Sequence, residues 1–106
     1  MNSNQKKLQR MIRRQEFVIS DQEFFLSAAF QNHLTALARA ATGRFQQGLQ
    51  VVIDWDESKN ADVAYTNSYK TYCNAANPIT QSFPTRFLRA LSLIGLDAHE
   101  TAHLMF

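Results

Sequence analysis

Apolar residues recur at helical spacing in the first part of the chain and then switch to alternation. Over residues 5–19, Leu8, Met11, Ile12 and Ile19 fall near one face with basic residues around them, which predicts an amphipathic helix. Ser20 followed three residues later by Glu23 has the form of a capping box, and Asp21 adds a favourable charge to the first turn, so a second helix is expected to begin here. Leu26, Phe30, Leu34, Leu37 and Ala41 then repeat at steps of three and four, drawing one buried stripe. Gly43 is placed to end this long helix after Thr42.

Beyond Gly48 the period becomes two: Val51, Ile53 and Trp55 share one side of a strand. Residues 56–60 read as a polar turn, which also accounts for Asp54, Asp56 and Glu57 around Trp55 without a carboxylate metal site. Segments at 62–66 and 69–74, separated by Asn67-Ser68, are expected to pair as a hairpin, and Asn77-Pro78 closes the strand region. A last helix is expected from near Ser82 to Phe106, with Pro84 in its first turn and Phe87, Leu91, Ile94, Ala98 and Met105 facing the core. The pattern therefore predicts an α+β fold. N-terminal helices pack on a small, mostly antiparallel sheet of about three strands, followed by the last helix.

Composition narrows this further. With 106 residues, 45% of them hydrophobic and eight of them Phe, the chain suits one folded domain and not a disordered tail. We divide it into a basic helical arm, 1–19, and a domain over 20–106. Cys73 is the sole cysteine, so an intramolecular disulfide is ruled out, and it reads as a small residue of the sheet. Met1 to Gln9 lacks the apolar run of a signal peptide, and no stretch approaches the ~20 apolar residues of a membrane span, so a cytoplasmic setting without membrane contact is expected. The net charge of +2 hides an asymmetry: Lys6, Lys7, Arg10, Arg13 and Arg14 precede any acidic residue. A solvated helix face explains such a run most simply, and nucleic acid is not the expected partner. His33, beside the long stripe, reads as a surface or packing residue and not a ligand.

The candidate chemistry lies in the last turns: His99-Glu100-Thr101-Ala102-His103. Four residues apart on a helix, His99 and His103 project from one face and can offer two imidazole nitrogens to a single Zn²⁺. Glu100 emerges about 100° round the helix, suited to act as general base toward the water that zinc activates and not as a ligand. Gly95, one turn before His99, is expected to leave space on the metal-facing side.

These residues, with 65–74, Pro84-Thr85-Arg86 and 95–106, resemble zincin metallopeptidase-like proteins of bacteria and phages, some with a downstream von Willebrand factor A-type domain. Where such proteins commonly carry a different turn, this chain reads Thr66-Asn67-Ser68-Tyr69-Lys70. The resemblance implies a zinc-dependent peptidase with a peptide or protein substrate, in which a strand of the small sheet edges the cleft. It also implies a third ligand after the motif helix. Residues 20–106 are therefore expected to be the N-terminal part of such a domain, with the ligand supplied in a longer form; otherwise an upstream group serves or the site is degenerate. The alternative is a non-catalytic binding module whose basic N-terminal helix contacts nucleic acid or a protein.

Overall fold

A computed structural model describes residues 2–15, 19–43, 48–67 and 69–105. The order is α1 (Ser3–Gln15), α2 (Asp21–Leu26), α3 (Ala28–Thr42), β1 (Gln50–Asp54), β2 (Ala64–Asn67), β3 (Lys70–Asn74), α4 (Pro78–Gln81) and α5 (Arg86–Met105). This is a small α+β fold with a three-stranded sheet, ordered β1-β3-β2.

Helix α1 starts earlier than expected because Asn2 caps it: its Oδ1 accepts from the Gln5 amide at 2.8 Å, and Gln5 Oε1 accepts from the Asn2 amide in return. Leu8 and Ile12 are buried. The expected last turn of this helix falls on residues 16–18, outside the described residues.

The long helix expected over 20–42 is two helices. Its start is as expected, with the Ser20 hydroxyl accepting from the Glu23 amide at 3.1 Å. The break comes at Ser27, whose backbone is extended (ψ 148°) and whose hydroxyl accepts from the Phe30 amide while donating to the Phe24 carbonyl at 2.6 Å. Serine competes here for backbone partners that a continuous helix would use itself. The turn lets Phe24, Phe25 and Phe30 meet, with ring centroids 5.1 to 5.2 Å apart. Leu26, expected in the stripe, is instead exposed, as is Ala41, while Ala38 is buried.

The sheet is mixed, not mostly antiparallel. β2 and β3 form the expected hairpin, with Tyr65 opposite Tyr72 and their rings stacked at 4.6 Å, although Ser68 in its turn lies outside the described residues. β1 pairs with β3 in parallel. That geometry leaves an outer edge on β1, and α3 covers it with three polar side chains one turn apart. Thr35 Oγ1 accepts from the Val51 amide, Gln31 Oε1 accepts from the Ile53 amide, both at 3.0 Å, and Arg39 Nε donates to the Leu49 carbonyl at 2.7 Å. Buried strand-edge amides thus find partners without another strand. The other outer strand is β2.

Pro78 sits in the first turn of the short α4, capped by Asn77. Pro84 precedes α5 and is not in its first turn: Thr85 is the cap, its Oγ1 accepting from the Leu88 amide at 3.2 Å. The buried line of α5 is Arg86, Ala90, Leu93, Asp97 and Thr101, rotated from the expected set; Phe87, Leu91 and Ile94 are half-buried and pack against the core as expected, while Ala98 is exposed. The Met105 side chain lies outside the described residues. Two contacts set this rotation. Arg86 pairs with Asp21 at the start, and Asp97 accepts from Thr71 Oγ1 at 2.9 Å further along. None of the described helices is long and apolar enough to cross a membrane.

His33 is buried, 7% exposed, with Nε2 lacking a hydrogen-bond partner among the described residues. Burial, and then the charge of Lys7, push its pKa below the usual value of 6.5. The unfolded chain therefore takes up this proton first, so stability is lost as pH falls below 6.5 toward the lower folded pKa. Urea midpoints at pH 8 and pH 5.5 are expected to differ less in His33→Leu than in the parent. An equal or larger acid-side loss in the variant would refute this assignment.

Candidate metal centre

The histidines of the motif stand near the C-terminal end of α5, both exposed, with Glu100 half-buried between them and the sheet. His99 Nε2 and His103 Nε2 are 3.4 Å apart, and the rings meet edge to face at 5.0 Å. Two nitrogens bound tetrahedrally to zinc at 2.0–2.1 Å would be separated by about 3.3 Å. The observed spacing thus fits a shared ion with little rearrangement. The same distance is also accessible to a shared proton, with one neutral ring donating to the other.

Glu100 points toward the sheet. Its Oε2 accepts from Thr66 Oγ1 of β2 at 3.0 Å, and the same hydroxyl lies 3.3 Å from the Glu100 carbonyl oxygen. Candidate donor atoms of His99, Glu100 and His103 all lie within 4.8 Å of one another. The three residues singled out in the sequence are therefore brought together, two imidazoles of a kind that zinc takes as ligands beside a carboxylate.

Behind the motif, one turn earlier, Asp97 is 4% exposed. Burial raises its pKa to about 6, opposed by the hydrogen bond from Thr71 and the proximity of Thr101, and reinforced by Glu100. Thr101 Oγ1 is itself buried without a well-aligned partner. Thr66 and Thr71 are opposite each other in the β2–β3 pairing, so neighbouring threonines receive carboxylates one turn apart on α5. Sequence reasoning missed both threonines. Their signal was inward register on adjacent strands, legible once the pairing is known.

Other sequence candidates fall outside the centre. Cys73 is fully buried in β3, and burial leads the causes that raise its pKa far above that of a reactive thiol. Gly95 is exposed, and a Cβ added there would meet nothing within 4 Å, so the space it was expected to provide is not needed. Asp54 and Asp56 lie at the far end of β1, where Asp56 Oδ1 accepts from the Ser58 amide at 2.9 Å as in a polar turn.

No family model, curated protein or solved structure matches this chain. The expectation of a zincin-type centre therefore rests on the sequence motif His99–His103.

Proposed function

We propose that the chain carries the zinc-binding and general-base part of a metallopeptidase centre, acting on peptide or protein amides. The observation that carries the reading is the 3.4 Å separation of His99 Nε2 and His103 Nε2 beside the Glu100 carboxylate. When bound, zinc supplies a Lewis acid that polarises a carbonyl and makes water more acidic. His99 and His103 would hold the ion through Nε2. Glu100 would accept a proton from the attacking water as its oxygen bonds to the carbonyl carbon, and deliver that proton to the amine nitrogen as the C–N bond breaks.

Thr66 shapes this role. By donating to Oε2 it fixes the plane of the carboxylate and leaves Oε1 for the water. β2 is also the outer strand beside Glu100, whereas the opposite edge of the sheet is covered by α3. An extended peptide added to β2 would lie next to the base. A third protein ligand beside His99 and His103 would complete the donor set, as zinc peptidases usually carry three.

Isothermal titration of the chain with ZnCl₂ at pH 7.5 tests the site. One ion per chain is expected, with heat lost in the His99→Ala/His103→Ala variant. Both side chains are exposed, so the variant is expected to remain folded. Identical isotherms for the two proteins would sink the proposal.

A further inference from the structure

We propose that the outward face of α1 is a docking surface for the phosphate backbone of double-stranded nucleic acid, independent of the His99–Glu100–His103 centre. The charge run alone is explained by solvation; its setting in the fold adds three observations. First, the helix is anchored, because Leu8 and Ile12 are buried in the core, so the orientation of the opposite face is set by the fold. Second, Lys6, Lys7, Arg10 and Arg13 are all exposed. Among the described residues they make no ion pair, whereas Arg86 and Arg89 share Asp21. Third, Lys6, Arg10 and Arg13 follow at steps of four and three, one stripe about 10 Å long.

The chemistry of the partner follows from what this face contains and lacks. A duplex carries one negative charge per ~1.7 Å of axis, so about six phosphate charges lie within reach of such a stripe. None of the described side chains of α1 is aromatic, so the helix offers no platform on which unpaired bases could stack. Its apolar stripe is already used in the core, which removes the face an amphipathic helix would insert into lipid. Long, unpaired cations on an open helix suit a dense and shape-tolerant line of charge. Contacts of this kind position a protein on the backbone without reading sequence.

Fluorescence anisotropy of a labelled 20-base-pair duplex, titrated with the full chain between 50 and 200 mM NaCl, tests the proposal. Four phosphate contacts give a log–log salt slope of about −3.6, a loss of affinity of about 150-fold over that range. Lys6→Gln/Arg10→Gln/Arg13→Gln changes only exposed side chains to a residue that favours helix, and its slope is expected to fall to about −0.9, or about 3.5-fold over the same range. Far-ultraviolet circular dichroism and the melting midpoint verify its fold. Lys59→Gln/Lys70→Gln, exposed bases away from α1, is expected to keep the parent slope. The proposal is overturned by undetectable duplex binding at 50 mM salt, by a triple variant with the parent's affinity and slope, or by an equal loss in the Lys59/Lys70 variant. Binding to poly-glutamate as tight as to duplex would also overturn it, in favour of an acidic protein.

Discussion

In a form of the centre completed by its third ligand, Glu100→Gln is expected to leave zinc content near the parent level and to lower kcat/KM for peptide hydrolysis by at least about 10²-fold, within the 10²–10⁴-fold range typical of a general base. Glutamine keeps the shape of the side chain, and its Oε can still accept from Thr66 Oγ1, now 3.0 Å from the carboxylate, so the local structure is preserved. What disappears is the capacity to take a proton at neutral pH. His99→Ala is expected to lose zinc and activity together. Zinc per chain by atomic emission, set beside cleavage of a quenched-fluorescence peptide library, separates these outcomes. The measurement also resolves an ambiguity in the geometry, because the donor atoms of all three residues lie within 4.8 Å of one another. If Glu100→Gln lost its metal as His99→Ala does, Glu100 would be a ligand. A variant cleaving at the parent rate would remove the motif from the chemistry. Zinc in a parent that cleaves no peptide would favour a non-catalytic binding module.

The second large effect concerns stability and the placement of α5. Asp21→Ala is expected to destabilise the protein by about 3 kcal/mol, because it removes the counter-charge of a buried guanidinium. Arg86 is 9% exposed; its Nε donates to Asp21 Oδ1 at 2.6 Å and its Nη2 to the Ile19 carbonyl at 2.8 Å, and it lies 5.3 Å from the Phe24 ring centroid. Arg89 takes the second carboxylate oxygen at 2.5 Å. For a domain of this size such a loss lowers the melting midpoint by more than about 10 °C. The penalty comes from a buried guanidinium that loses the Asp21 carboxylate, so Asp21→Ala/Arg86→Met is expected to recover much of it. Urea unfolding of the two variants beside the parent provides the comparison. A cost below about 0.5 kcal/mol for Asp21→Ala would mean that the pair behaves as a solvated surface pair.

Several features were determined by local sequence alone. The Ser20–Glu23 cap and the left-handed Gly43 that ends α3 arise from interactions within a few residues, and strand alternation alone puts Val51 and Ile53 on one side. His99 and His103 also belong here: a spacing of four brings any two helical side chains onto one face, and the nitrogens meet at 3.4 Å without help from the rest of the chain.

The tertiary structure decided what those local rules leave open. At Ser27 a continuous stripe and a local cap competed, and the cap prevailed because the turn brings three phenylalanine rings together. Parallel pairing of β1 with β3 depends on how the later hairpin returns, which alternation cannot report. The rotation of α5 is set by Thr71 and Asp21, and the direction of Glu100 by Thr66, partners 26, 65 and 34 positions away in sequence. Periodicity identifies which side chains can share a face, but it contains no term for a partner on another element. Only packing supplies that term, so the sequence could show the pair of histidines, while the hydroxyl that holds Glu100 had to be found in the fold.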